Sequence, residues 1–141
     1  MSKICLKREH LDEIVAHCIE EFPKEVCGIV SGRGNAGVGG AAEKVYRTVN
    51  VSETPYKLYT SDPEQQGRIF DEIDRENLEM LAIYHSHTKD PASPSECDLK
   101  DAKYQKSFYL IVSLANPKEP VIKVYTIIGG KIQEAELEIT D

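Results

Sequence analysis

The chain has 141 residues, the usual size of one compact domain, so we predict a single domain over residues 1–141. Hydrophobic residues make up 40% and charged residues 29%, which is typical of a globular protein that forms its core without disulfides. The formal net charge of −7 argues against a nucleic acid partner, because duplex binding favours a basic surface.

The sequence also argues against a membrane location. It has no run of about 18 apolar residues, and residues 1–9 mix charged and apolar types without a signal-peptide core. We therefore expect a cytoplasmic protein. The four cysteines have no CxxC spacing, so in a reducing compartment we expect free and mostly buried thiols at Cys5, Cys18, Cys27 and Cys97.

The first third of the chain is predicted to hold one helix and a pair of strands. Apolar residues recur at intervals of three and four over residues 8–22, which indicates an amphipathic helix. Residues 25–31 (EVCGIVS) follow as a buried strand, and residues 45–51 as the returning strand. Between them, the glycine-rich residues 32–40 are expected to form a mobile hairpin tip.

The middle of the chain is predicted to be a short extended segment at residues 56–59, a helix and a buried strand. The sequence Ser-Asp-Pro-Glu at residues 61–64 has a capping residue, a first-turn proline and acids near the positive end of the helix dipole. This helix is expected to continue towards Glu76. The strand covers residues 78–87, and the two prolines in residues 88–94 predict a loop.

The last third is predicted to contain a helix from Ser95 to about Tyr104 and then three strands, at residues 108–114, 121–127 and 131–139. Helices thus alternate with strands early, and strands follow one another at the end. We predict an α/β (or α+β) sandwich with one mixed β-sheet flanked by helices.

The segment from His85 to Asp98 has the residue types of a metal site. His85 and His87 stand two residues apart at the end of a predicted strand, so both imidazoles point to one face. Asp98 follows across a loop and can return as a third ligand. Two histidines and one carboxylate leave a fourth tetrahedral position for water, which a catalytic zinc site requires. These three residues could therefore share one metal ion, and a zinc ion (Zn²⁺) would suit them.

Two further residues are candidates for catalysis. Glu25 opens an apolar strand, where a carboxylate is costly without a partner, and it could take the proton of a zinc-activated water. Ser95 could donate a hydrogen bond to the oxyanion that forms when a carbonyl is attacked.

Each of these features also has a structural explanation. An HxH pair alone is weak support for a metal, and a lone glutamate such as Glu25 is more often a surface acid. Ser95 and Asp98 fit a helix capping box, which is compatible with a role beside the metal. Cys97 is expected to pack rather than to act as a ligand or nucleophile. Two histidines of the first helix, His10 and His17, are expected to be solvated or partly packed.

Together these residues form a composite motif. Glu25 lies in a Pro-x-Glu-x-Cys-Gly context, and residues 85–98 read His-x-His, seven residues, then Ser-x-x-Asp. This pattern resembles that of the JAMM (MPN-plus, Mov34-like) metalloproteases. The resemblance implies that His85, His87 and Asp98 bind zinc, that Glu25 is the general base and that Ser95 supports the transition state.

The resemblance also implies a fold similar to the cytidine deaminases. The deaminase reaction itself is not expected, because the HxE and PCxxC elements of its zinc site are missing. The catalytically silent branch of the family has lost metal ligands, whereas this chain keeps them all, so a pure scaffold role is not expected either.

The family cleaves peptide or isopeptide bonds at the C-terminus of ubiquitin-like proteins. The compact chain is similar to the short prokaryotic members, and residues 84–88 and 108–113 are similar to the sulfur-carrier hydrolases. We therefore expect hydrolysis after the C-terminal Gly-Gly of a ubiquitin-like, β-grasp sulfur-carrier protein, releasing cysteine or a C-terminal extension. The alternatives are an isopeptidase that removes a ubiquitin-like modifier from lysines and a non-catalytic interaction module. The oligomeric state stays open, a homodimer included.

Overall fold

The computed structural model of this chain describes residues 2–141, except for the side chain of Asp101. In chain order the elements are β1 (Lys3–Lys7), α1 (Arg8–Glu21), β2 (Cys27–Asn35), β3 (Gly39–Thr48), α2 (Pro63–Arg75), β4 (Glu79–His87), α3 (Glu96–Asp101), β5 (Phe108–Ser113), β6 (Val121–Ile128) and β7 (Lys131–Thr140).

The predicted mixed α+β architecture is confirmed, but the sheet is a closed barrel and not a layer of a sandwich. The strand order is β1-β3-β2-β4-β5-β6-β7, with parallel pairs at β1/β3, β1/β7 and β4/β5. The barrel closes because β1 pairs with both β3 and β7. Strand β1 is not among the elements that the sequence predicts.

The glycine-rich segment is mostly strand, so the prediction of a mobile tip over residues 32–40 is wrong. The hairpin pairing of β2 with β3 continues outward to Asn35 and Gly39, which leaves only residues 36–38 as the turn. A Cβ atom at Gly32 would lie 2.3 Å from the carbonyl oxygen of Ala41, and one at Gly40 equally close to that of Arg33. These glycines let the two backbones approach each other closely.

Other boundaries differ by a few residues. Residues 56–57 lie in a turn and 58–60 in a loop, so the expected extended segment is not a strand. Helix α3 ends at Asp101, before Tyr104. The predicted start of α2 is confirmed, because Asp62 is its N-cap and accepts a hydrogen bond from the Glu64 amide at 3.1 Å.

The main core lies between the barrel strands and α1. It contains fully buried side chains from β1, α1, β4 and β5, among them Ile4, Ile14, Tyr84 and Leu110. A smaller cluster packs α2 against the barrel through Ile29, Ile69 and Ile73. Strand β4 is therefore covered on both faces, and its last residues are buried. Within residues 2–141 no helix is long and apolar enough to cross a bilayer.

Candidate metal centre and catalytic pocket

The C-terminal end of β4 places two histidine side chains together. His85 pairs with Ile111 of β5, and His87 pairs with Ser113. The strand period of two points both rings to the same side of the sheet. Their Nε2 atoms lie 3.1 Å apart, and the residues are only 1% and 3% exposed.

Asp98 is brought to the histidines by the first turn of α3. Its Oδ1 atom lies 3.2 Å from Nε2 of His85, and its Oδ2 atom lies 3.0 Å from Nε2 of His87. The Ser95 amide donates to Asp98 Oδ2 at 2.8 Å, and the Asp98 amide donates to Ser95 Oγ at 3.1 Å. The predicted capping box is thus confirmed. It also orients Asp98 towards the histidines, so the two interpretations of Ser95 and Asp98 are compatible.

The three side chains could hold a metal ion. Their ligand atoms all lie within 4.8 Å of one another, and the closest pairs are 3.0 to 3.2 Å apart. A tetrahedral zinc site with metal–ligand distances of about 2.0–2.1 Å has ligand atoms roughly 3.3 Å apart. The separations at His85, His87 and Asp98 are close to that value, and the donor types are those that zinc prefers.

The pKa shifts of Asp98 and His85 suit a metal, whereas the shift of His87 favours the protonated ring, whose proton a metal would have to displace. Burial works to raise the pKa of Asp98, but hydrogen bonds with His85 and His87 hold it well below its usual range. Burial lowers the pKa of His85, which keeps that ring neutral. Burial works in the same direction on His87, yet the hydrogen bonds with Asp98 and the Pro91 carbonyl raise the pKa of this ring. An ionised carboxylate and neutral imidazoles are the forms that bind metals.

The two rings are oriented by different contacts. Nδ1 of His87 lies 2.8 Å from the carbonyl oxygen of Pro91, a contact that leaves Nε2 free for a metal. Within residues 2–141, Nδ1 of His85 has no hydrogen-bond partner. The His85 ring instead stacks on Tyr59, with centroids 4.7 Å apart and an angle of 25° between the rings.

Glu25 lies beside this group, two residues before β2. Its amide donates to the carbonyl of Pro55 at 2.8 Å, and its own carbonyl accepts from Nδ2 of Asn50 at 2.9 Å. The next amide, that of Val26, donates to Oγ of Ser86 at 2.9 Å. The side chain is buried, and burial raises the pKa of Glu25 to about 7.

A small pocket joins these residues. It has a volume of about 180 Å³, and its lining includes Glu25, His87, Ser95, Asp98 and Tyr59. All five predicted site residues therefore lie in one place, since His85 contacts Asp98 directly. Sequence reasoning missed Tyr59 and Asn50, which come from the loop between β3 and α2. A loop without periodicity gives no signal for such roles.

Some sequence predictions near the site are wrong. Cys97 is exposed and lines the pocket, so the expectation that it packs is wrong. The cysteines are all free, but only Cys18 and Cys27 are buried, so the expectation of mostly buried thiols holds for half of them. His10 and His17 are both buried, not solvated.

Comparison with known proteins identifies the family of this chain. Residues 7–128 match the family described as prokaryotic homologs of the JAB domain. The chain belongs to this family, and the resemblance to the JAMM metalloproteases is confirmed.

Individual relatives agree with this assignment. A probable TtuB-protein conjugate cleaving protease from Thermus thermophilus is 37% identical over 100 residues, which cover 71% of this chain and 64% of that protein. The CysO-cysteine peptidase of Mycobacterium tuberculosis is 25% identical over 138 residues, which cover 98% and 92%. A solution structure of a protein from Desulfitobacterium hafniense superposes with a TM-score of 0.85 at 31% identity, covering 98% of this chain and 93% of the other.

Proposed function

We propose that this protein is a zinc-dependent peptidase that hydrolyses the bond after the C-terminal Gly-Gly of a ubiquitin-like sulfur-carrier protein. The observation that carries the proposal is the convergence of Nε2 of His85, Nε2 of His87 and the Asp98 carboxylate beside the buried Glu25. Relatives named for cleaving CysO-cysteine and TtuB-protein conjugates support the choice of substrate.

His85, His87 and Asp98 are the proposed zinc ligands, and three protein ligands would leave the metal able to bind a water. A zinc ion held there would lower the pKa of that water towards 7 and polarise the scissile carbonyl. Proton transfer and stabilisation of the oxyanion are assigned to side chains of the protein.

Glu25 is the proposed general base. Its carboxylate accepts a proton from the attacking water, whose oxygen forms a new bond to the carbonyl carbon. As the carbon–nitrogen bond breaks, the same carboxyl group gives that proton to the leaving nitrogen. The products are a carrier with a free C-terminal carboxylate and a free amine. A pKa of about 7 suits a group that must accept and then release a proton near neutral pH.

Ser95 is proposed to stabilise the developing oxyanion. Its oxygen accepts a hydrogen bond from the Asp98 amide, which leaves the hydroxyl hydrogen available for the carbonyl oxygen of the substrate. The catalytic pocket is small, at about 180 Å³, and Tyr59 and Leu58 form part of its lining. Glycine, which has no side chain, fits such a space next to the scissile bond.

The domain organisation of the chain is also a proposal. We propose that residues 1–141 act as one metalloprotease domain, because strands from Lys3 to Thr140 share one barrel. A fold likeness to cytidine deaminases and a cytoplasmic location remain predictions from the sequence.

An isopeptidase is the second candidate function. The name of the Thermus relative, which refers to cleaving a protein conjugate, favours it. Both functions use the same ligands and the same base, and they differ only in the amine that leaves: the α-amine of cysteine or the side-chain amine of a lysine on a second protein.

The test is intact-mass spectrometry of a sulfur-carrier protein that ends in Gly-Gly and carries one extra C-terminal cysteine. We expect the zinc-loaded enzyme to remove the mass of one cysteine residue, and the enzyme stripped by a chelator to remove none until zinc is restored. A carrier ending in Ala-Ala-Cys is the matched control and should react much more slowly.

The same assay separates the two functions. A carrier joined through its Gly-Gly end to a lysine of a second protein serves as the competing substrate. Preferential cleavage of this conjugate would assign the protein as an isopeptidase. Cleavage of neither substrate by enzyme with zinc bound would contradict the proposal.

A further inference from the structure

The two histidines of the metal centre are not supported equally. His87 has a carbonyl partner for its second ring nitrogen, the usual device that fixes a metal-binding imidazole. His85 has no such partner among the described residues, although its Nδ1 atom is completely buried. Rotation of the His85 ring would move Nε2 away from Asp98, so some other contact has to hold it.

The ring of Tyr59 provides that contact. It lies almost parallel to the His85 ring, with centroids 4.7 Å apart. Stacked aromatic pairs at this separation stabilise each other beyond simple burial of area. Tyr59 comes from the loop between β3 and α2, and it is half-buried and not part of the main core.

Asn50 fixes this loop on both sides of Tyr59. Its Nδ2 donates to the carbonyl of Leu58 at 3.0 Å, and its Oδ1 accepts from the amide of Thr60 at 3.0 Å. The same Nδ2 atom also donates to the carbonyl of Glu25 at 2.9 Å. One side chain thus ties the residues before and after Tyr59 to the backbone of the proposed base.

We propose that Tyr59 is a positioning residue of the metal centre: its stacked ring holds the His85 imidazole in the orientation that presents Nε2 to the metal, and Asn50 holds Tyr59 in place. The inference rests on the proposed function, because it requires that His85 binds zinc. It assigns the loop between β3 and α2 a direct part in metal affinity, although no residue of the loop is a ligand.

The zinc affinity of variants, measured by competition with a chromogenic chelator, tests the proposal. Tyr59→Leu removes the aromatic ring, and we expect zinc affinity to fall about 3-fold to 10-fold. Tyr59→Phe keeps the ring and should stay within about twofold of the wild type. Tyr56→Leu is the matched control, because Tyr56 lies in the same loop but is 55% exposed.

A spectroscopic readout separates positioning from general destabilisation. With Co²⁺ in place of zinc, we expect Tyr59→Leu to change the visible absorption bands, which report ligand geometry, and Tyr59→Phe and Tyr56→Leu to leave them unchanged. If Tyr59→Leu does not fold, Asn50→Ser frees the loop while keeping the ring. It should weaken zinc binding in the same direction, with no further loss when it is combined with Tyr59→Phe.

The possible outcomes are distinct. Tyr59→Leu with wild-type zinc affinity and wild-type cobalt bands would overturn the inference and leave the zinc peptidase standing. Equal losses in Tyr59→Phe and Tyr59→Leu would also overturn it, because the phenolic hydroxyl would then be the important group. A wild-type protein that binds no zinc would contradict this inference and the proposed function together.

Discussion

Nδ1 of His17 lies 2.7 Å from the phenolic oxygen of Tyr84, and this contact joins α1 to β4 one residue before His85. The rings meet edge to face, with centroids 5.8 Å apart. Tyr84 is fully buried, and its ring passes over Gly28, its pairing partner on β2. A Cβ atom at Gly28 would lie 2.1 Å from the Tyr84 ring. The glycine of the Pro-x-Glu-x-Cys-Gly segment therefore makes room for the aromatic ring that supports the strand carrying His85 and His87.

The Gly28→Ala variant should lose stability. Its methyl group would overlap the Tyr84 ring, so the ring or β2 has to move, and we expect the free energy of unfolding to fall by about 2–3 kcal/mol. Gly67→Ala is the control, because this helical glycine has nothing within 4 Å of a Cβ atom, and it should gain about 0.5–1 kcal/mol. Urea denaturation measures both, and similar values for the two variants would contradict the packing described.

The stability of the protein should depend on His17 below neutral pH. Burial, with a contribution from Arg47, lowers the pKa of His17 in the folded state. The unfolded chain, where the pKa is about 6.5, then binds the proton more readily, so stability falls as the pH drops below about 6.5. We expect the free energy of unfolding to decrease less between pH 7 and about pH 5 in His17→Gln than in the wild type. If the free energies of unfolding of His17→Gln and the wild type change equally with pH, measured in the same metal state, His17 does not have this role.

Cys97 should react with thiol reagents faster than the other cysteines. Cys97 is exposed and lines the catalytic pocket, whereas Cys18 and Cys27 are buried, and burial raises the pKa of Cys18 to about 12. The Cys5 thiol donates to Glu138, and this hydrogen bond raises its pKa. Peptide mapping after iodoacetamide treatment should show early labelling at Cys97 together with loss of activity. Inactivation of Cys97→Ser at the wild-type rate would show that another residue is responsible.

Ser95 should have separable structural and catalytic contributions. Ser95→Ala removes the N-cap of α3, which costs about 1 kcal/mol of stability, and it removes the proposed oxyanion donor, which should lower kcat by about 10²- to 10³-fold. Ser95→Thr keeps the hydroxyl and should retain most of both properties. Steady-state kinetics and thermal unfolding measure the two effects. A kcat for Ser95→Ala close to that of the wild type would remove Ser95 from the chemistry.

The arrangement of the metal centre follows from local rules, and for that reason the sequence predicts it well. The alternation of a strand places His85 and His87 on one face, and the capping box of α3 fixes Asp98. Their roles in binding and catalysis remain predictions, which the zinc content and turnover of variants test.

Features that depend on distant contacts could not be predicted in the same way. Barrel closure needs Lys3–Lys7 to pair with β7, at the other end of the chain, and no periodicity shows that pairing. Glycine favours turns, so Gly32 and Gly40 predict a flexible tip, whereas in the structure they allow two strands to approach closely. Tyr59 reaches His85 only through a loop whose path depends on Asn50.

The most direct test of the account measures zinc content and turnover together in Glu25→Gln, with Asp98→Ala as the comparison. We expect Glu25→Gln to bind one zinc ion per chain like the wild type, while cleavage of the Gly-Gly-Cys carrier falls at least 10²-fold because the base is missing. Asp98→Ala should lose both zinc and cleavage, because a ligand is missing. If Glu25→Gln loses its zinc, or keeps wild-type turnover, Glu25 is not the general base and the proposed mechanism is wrong.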